Sequence, residues 1–382
     1  MSTAPAYVRP LTEVSRADAA SAGGKAASLG ELTRAGIGVP RGFVVTAAAF
    51  GRAMAVVGGA DALVRSVENL APEDRESLVR VAAELRALIT AAPVPVPVAA
   101  AVSAGYRELG AAVAVRSSAT LEDSAEASFA GLQDTYLGVR GADEVLDAVR
   151  RCWASLYNDE SVAYRRRMGL PERGLAMAVV VQLMLRPRAA GVMFTRSPVS
   201  GDRSVVAIEG TWGLGSALVA GEVTPDAFTV SKVTGEITGR RVGTKLRLHS
   251  LMPNGPGISV TVMPIALRGR ACLTDDEAQA LATVGRRVEE HYGAPQDIEW
   301  ALLGDDPGVV DSHGLAEDPG VAVSHGLAED PGVAASHGLA EDRIVLLQSR
   351  PETVWAARER GPVAGPKPRA SDHVLAWLEK PL

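Results

Sequence analysis

Between residues 175 and 249 the chain reads as one strand after another. Residues 177–184, 190–194, 204–209, 227–231 and 240–248 are short β-branched or alternating runs, set apart by Gly, Pro, Ser and Asp. Helical segments lie mostly outside this block. Residues 24–36 carry Ala26, Leu29, Leu32 and Ala35 at helical spacing and stop at Gly36. Residues 60–91 are helical by composition, with a break near Ala71-Pro72, and residues 92–97, alternating with proline, are expected to be extended. Residues 142–157 and 159–168 read as helices that turn Val145, Leu146, Val149, Trp153, Leu156 and Tyr157 inward. Residues 274–292 form an amphipathic helix that opens on a capping box, Thr274 with Glu277 three positions on. Helices segregated from strands that must pair antiparallel predict an α+β fold rather than a parallel α/β sheet.

Bulk properties narrow the function. At 382 residues the chain exceeds one small core, so two lobes or domains are expected. A net charge of −6 leaves no basic footprint for general nucleic-acid binding, and 4% aromatic content argues against stacking platforms for single strands. Cys152 and Cys272 stand alone, in no CxxC pattern, which argues against a zinc or disulfide framework. The first ten residues lack a charged segment followed by an apolar one, and no run of 18 apolar residues occurs. The expectation is a cytoplasmic protein without a membrane segment.

One anomaly lies between two further strands, 297–303 and 343–348. Three near-copies of a 12-residue unit begin at Asp306, Asp318 and Asp330 and end at Glu317, Glu329 and Glu341. The unit is too short for a solenoid and rich in Pro and Gly, so it reads as tandem expansion of an exposed hairpin loop. It holds His313, His325 and His337, half of the chain's six histidines. Such spacing could serve metal binding or phosphoryl carriage, but a replicated loop without a role is the plainer reading.

The chemistry-bearing residues are scattered. A buried run at 113–115 leads into Arg116-Ser117-Ser118 and then a Gly/Ala-rich stretch reaching Gly131. Arg offers phosphate a planar charged fork, and small residues let backbone N–H groups approach the same anion. A strand end with a surface ion pair is the plainer alternative. Gly23-Gly24-Lys25 places an ammonium at a helix start, though neither G-x-x-x-x-G-K nor a following Ser/Thr makes it a P-loop. Gly213-Leu214-Gly215 lacks the third glycine of a dinucleotide fingerprint, since Leu218 stands there. Asp297 and Glu299 share one strand face, as do Gln348 and Arg350. An acid, an amide oxygen and Arg on neighbouring strands suit Mg²⁺ with a polyphosphate, or simply a solvated face with a cross-strand ion pair.

Taken in order, these motifs resemble one family. Gly23-Gly24-Lys25-Ala-Ala-Ser-Leu-Gly, Val-Arg116-Ser-Ser-Ala-Thr-x-Glu-Asp and Ala-Ser-Phe-Ala-Gly131-x-Gln133-Asp134-Thr135 open the series. Gly191-Val-Met-Phe-Thr, Pro198-Val-x-Gly201, Gly213-Leu-Gly215, Val-Thr-Pro225-Asp226, Asp-Ile-Glu299-Trp and Leu-Gln348-Ser-Arg350-Pro complete it. The resemblance is to the ATP-binding domain of the phosphoenolpyruvate synthase, pyruvate phosphate dikinase and rifampin phosphotransferase group, over residues 23–355 apart from the repeats.

That resemblance implies an ATP-grasp-like α+β fold, with one lobe at 1–185, another at 186–356, the insertion at 304–342 and a tail at 357–382. It implies that Lys25, Arg116 and Arg350 hold the ATP phosphates, with Thr135 near the transferred group. Gly131, Gln133 and Asp134 would belong to a lid over them. Gln182 and Met184 would meet adenine, Glu209 the ribose, and Glu299 with Gln348 would hold Mg²⁺. Relatives carry Glu where this chain has Ser216, and they carry a catalytic histidine in a glycine-rich motif that these residues lack. His249, His291 and His373 are expected to be structural or superficial. The implied activity is an ATP-dependent dikinase step that passes the β-phosphoryl group to a histidine on a separate partner, releasing AMP and phosphate. A small-molecule kinase that releases ADP and a non-catalytic nucleotide-binding module are the alternatives.

Overall fold

The structure, a computed structural model, describes residues 6–71, 74–120, 123–124, 127–128, 134–304, 340–353 and 355. The lid residues Gly131 and Gln133, the repeats up to residue 339 and the segment beyond 355 lie outside them.

The first half runs β1 (Val8–Pro10), α1 (Ala19–Arg34), β2 (Gly42–Val45), α2 (Ala47–Met54), α3 (Ala60–Asn69), α4 (Arg75–Ala91), α5 (Val96–Leu109) and β3 (Val113–Ala119). Two-residue strands β4 (Asp123–Ser124) and β5 (Ala127–Ser128) pair with each other. Then follow β6 (Thr135–Val139), α6 (Ala142–Ser155), α7 (Asp159–Arg167) and β7 (Met177–Leu183). A five-stranded antiparallel sheet results, ordered β1-β2-β7-β3-β6. Val113, Val115, Val179 and Val181 meet Leu85, Val149 and Trp153 from α4 and α6 in one core. Val44, Ala178 and Val180 meet Ala22, Ala26 and Leu29 of α1 on the opposite face. Being covered on both sides, β7 is an unbroken apolar run from Met177 to Val181 rather than an alternating one.

The second half runs β8 (Ala189–Phe194), β9 (Val205–Trp212), α8 (Ser216–Val219), β10 (Asp226–Ser231) and β11 (Ile237–Arg241). Next come β12 (Arg247–Leu251), β13 (Ile258–Val262), α9 (Ile265–Arg268), α10 (Asp275–Tyr292), β14 (Gln296–Leu302) and β15 (Ile344–Pro351). Its six-stranded sheet, ordered β11-β10-β9-β8-β14-β15, is also antiparallel throughout. One face packs Met193, Ile208, Ile298 and Trp300 on Leu281, Val284 and Val288 of α10. The α+β expectation holds, and the capping box on α10 is formed by Thr274 and Glu277 as read.

Two local readings change. The proline-alternating stretch ends in a helix, because α5 starts at Val96 with Pro97 in its first turn, where a missing N–H costs nothing. Residues 240–248 are not one strand but the ends of β11 and β12, which belong to different sheets. Gly243 breaks the run: a Cβ there would lie 2.1 Å from the Thr224 carbonyl, and its N–H donates to Asp226 Oδ1 at 2.9 Å. The Lys245 ammonium, fully buried, completes the turn by pairing with the equally buried Asp226, which also accepts from the Cys272 amide at 2.7 Å.

Among the described residues no single helix is long and apolar enough to cross a membrane.

Candidate active site

A cleft of about 640 Å³ opens between the two sheets. Its floor is the face of β8, β14 and β15 turned away from α10, with Val192, Asp297, Glu299, Gln348 and Arg350 on it. Across the gap stand Lys25, Arg116, Thr135 and Gln182 from α1, β3, β6 and β7.

Lys25 owes its position to a kink. Gly23 interrupts α1 with φ +76°, and a Cβ there would sit 2.0 Å from the Ser118 carbonyl oxygen, so only glycine fits. Ser118 Oγ donates to the Ala22 carbonyl at 3.0 Å and accepts from the Ala26 amide at 3.2 Å, spanning the kink. The same α1 reaches the other sheet, where Ser28 Oγ donates to the Ser349 carbonyl at 2.6 Å.

Arg116 crosses the cleft. Its Nη2 donates to Glu299 Oε2 at 2.7 Å and to Gln348 Oε1 at 2.8 Å, and Nη1 donates to the Leu347 carbonyl at 2.9 Å. That third acceptor exists because of a bulge: Glu299 pairs with Gln348 but Trp300 pairs with Leu346, so Leu347 is the extra residue. Arg116 Nε is buried without a hydrogen-bond partner. A buried N–H of a guanidinium left unmatched is a standing cost that an anion could remove.

Asp297 sits two residues from Glu299 on the same face, in register with Arg350. Its Oδ2 lies 3.6 Å from Arg350 Nε, while Oδ1 is buried with no partner. Burial pushes its carboxyl up to about 6; Arg350 pulls it down in part and the Glu352 carboxylate adds to the rise. Its shared face with Glu299 is legible in the sequence, but no role follows from that alone.

The other expected residues divide. Thr135, exposed at the cleft, pairs in register with Arg116, and Gln182 and Met184 line the far wall. Gln182 is buried and spends one amide N–H on the Pro40 carbonyl at 3.1 Å, while the Met184 amide donates to Ala112. Asp134 is not part of the lining: it accepts from the Tyr136 hydroxyl at 2.7 Å and from Asn158 Nδ2 at 3.2 Å. Glu209 is half-buried on β9, in the cross-strand row Gln348, Glu299, Val192, Glu209, but outside the cleft lining. His249 is not superficial: it is 4% exposed and bonded to Ser216, a lining residue. Burial raises the thiols of both Cys152 and Cys272, so neither is a nucleophile.

The donor set suits a hard dication. Glu299 and Gln348 offer a carboxylate and an amide oxygen from paired strands, as Mg²⁺ prefers. Among the described residues no group of three His, Cys, Asp or Glu could hold a metal. A cation here would thus complete its shell with phosphate and water oxygens.

With the geometry in place, comparison decides the family. The family described as "Pyruvate phosphate dikinase, AMP/ATP-binding domain" matches residues 19–370. The chain belongs to this family. Among curated relatives, a "Probable phosphoenolpyruvate synthase" of Methanothermobacter thermautotrophicus is 44% identical over 313 residues, covering 80% of this chain and 45% of the relative. A "Rifampicin phosphotransferase" of Streptomyces sp is 45% identical over 306 residues, covering 79% of this chain and 35% of the relative. A "Phosphoenolpyruvate synthase" of Aeropyrum pernix is 35% identical over 387 residues, covering 93% and 43%. The chain thus spans less than half the length of these relatives of the dikinase family.

Proposed function

We propose that this chain is the ATP-binding, phosphoryl-donating part of a dikinase-type phosphotransferase. The observation that carries the reading is the convergence of Arg116, Glu299 and Gln348 between two sheets, flanked by Lys25 and Arg350 on one cleft. A triphosphate needs several fixed cations, and these side chains come from positions more than 300 residues apart in the chain. Two antiparallel sheets enclosing the cleft suit an ATP-grasp-like arrangement, with residues 1–185 and 186–356 as its lobes and the insertion and tail outside it.

Lys25, Arg116 and Arg350 bind the phosphate oxygens, and Thr135 donates to the group in transfer. Gln182 and Met184 bound the adenine end, and Glu209 lies beyond Val192 toward the ribose. Glu299 and Gln348 hold Mg²⁺, which when bound neutralises the charge that builds on the phosphates. Arg116 must then leave both oxygens and turn its fork, Nε included, to the nucleotide. Catalysis is by positioning and charge neutralisation, because phosphoryl transfer demands little covalent help from protein. Gly131, Gln133 and Asp134 belong to a lid whose base Asp134 secures through Tyr136 and Asn158.

The receiving histidine lies outside these residues, on a partner domain or protein. ATP, water and the histidine are consumed; AMP, orthophosphate and phosphohistidine are formed. The acceptor beyond that histidine is a small molecule. Calorimetry with Mg²⁺ and ATP tests the first claim, and absence of binding by folded protein sinks it. Product analysis with the histidine-bearing partner added tests the second: AMP with orthophosphate is expected, whereas ADP transfers the case to a direct kinase.

A further inference from the structure

One wall of the cleft carries a polar side chain that no role above uses. Ser216 follows the Gly213–Gly215 turn and lines the cleft among Leu214, Val219 and Ala220. Its Oγ lies 2.9 Å from Nδ1 of His249, 33 residues on. His249 is buried, and its Nε2 has no hydrogen-bond partner but faces Glu222 Oε2 at 3.5 Å. The pair is built into the backbone as well. The Leu214 amide donates to the His249 carbonyl at 2.8 Å, and Gly213 (φ +70°) forms an isolated parallel bridge with the same residue.

The ring's tautomer follows from its neighbours. A carboxylate only accepts, so in the neutral ring Glu222 favours the proton on Nε2, and Nδ1 is left as an acceptor. The Ser216 hydroxyl then gives its single proton to Nδ1. What Ser216 shows to the cleft is a lone pair on Oγ, an acceptor with a fixed direction.

The position of that acceptor identifies its ligand. A Cβ on Gly215 would lie 3.6 Å from Ala190 Cβ and 3.7 Å from the Gly191 amide nitrogen, so the turn sits over that part of β8. Ala190 is two residues from Val192, which pairs with Glu299. Two strand residues are about 7 Å, roughly the reach from a triphosphate to its sugar. Waters on the cation stay beside Glu299 and Gln348, so apart from the adenine amino group the donors that Mg–ATP can offer at this end of the cleft are the two sugar hydroxyls. We propose that Ser216, oriented by His249, accepts a hydrogen bond from a ribose hydroxyl of the bound nucleotide, making Ser216 a specificity-determining contact and His249 a positioning residue. This rests on the ATP reading above.

The test is equilibrium binding, by calorimetry, of Mg²⁺ complexes of ATP, 2′,3′-dideoxy-ATP, 6-deamino-ATP and tripolyphosphate. Ser216→Ala should weaken ATP about 3–10-fold, as loss of one hydrogen bond does. It should leave dideoxy-ATP and tripolyphosphate unchanged, and 6-deamino-ATP should lose as much as ATP. His249→Gln should weaken ATP in the same direction, with no further loss when added to Ser216→Ala. Equal losses for ATP and dideoxy-ATP, or no loss for ATP, overturn the sugar contact while the ATP reading stands. A loss seen with ATP but abolished for 6-deamino-ATP moves the contact to the base and overturns it too. If the folded wild type binds no Mg–ATP, the parent reading falls and this inference with it.

Discussion

Two cation–carboxylate pairs in this protein look alike on paper and differ in every consequence. Lys245 and Asp226 are both fully buried, and Asp226 is further saturated by the amides of Gly243 and Cys272. Arg116 and Glu299 are 13% and 33% exposed, stand in a cleft, and leave Arg116 Nε unmatched. The first pair closes a turn between two strands and has nowhere to send its charge. The second joins two sheets through atoms a nucleotide would compete for. Complete satisfaction suits a structural pair; incomplete satisfaction at an open cleft is what the proposed nucleotide site requires.

Breaking the first pair should produce the largest change. Asp226→Ala strands a buried ammonium and two amides, and about 3–5 kcal/mol of stability should be lost in urea titration. Arg116→Met comes next. Phosphoryl transfer should fall about 10²–10³-fold, or about 3–4 kcal/mol of barrier, with a stability change of no more than about 1 kcal/mol. A large drop in stability with transfer intact would reverse the contrast between the pairs.

Asp297 sharpens the comparison further, as an acid only half matched by its Arg350 neighbour. Its carboxyl is raised, so ionising it costs the folded state stability as pH climbs from its unfolded value of 3.8 through about 6. Asp297→Asn should therefore match wild type near pH 3.5 and be more stable by about 2–3 kcal/mol at pH 8 in nucleotide-free buffer. Equal stability at both pH values would show the acid to be satisfied after all. The smallest effect belongs to an ordinary cap. Thr274→Ala removes the acceptor for the Glu277 amide and should cost about 1 kcal/mol in the same titration, with nucleotide affinity unmoved.

The sequence was most readable where the determining contacts are local. Thr274 and Glu277 are three residues apart, and the helix they start was legible from its own letters. Helix α5 was missed because proline argues against a helix everywhere except in its first turn. The break at Gly243 was missed because its cause, the Thr224 carbonyl, is brought close only by the fold. The cleft follows the same division. Residue types and alternation pointed to Arg116, Glu299, Gln348 and Arg350. Nothing short-range could announce that Arg116 would meet Leu347, 231 residues away and pushed out of register by a bulge, or that His249 would aim Ser216.

The antiparallel pairing of Glu299 with Gln348 puts both oxygens on adjoining strands, with all three 12-residue copies falling in the connection between them. Closing a longer connection adds cost only with the logarithm of its length, about 1 kcal/mol for 24 added residues. Replication slippage at this point of the gene can therefore add or delete whole units while the ladder on either side keeps its alignment. The energetic cost of such a change is small enough that the fold itself sets little limit on the length of this segment.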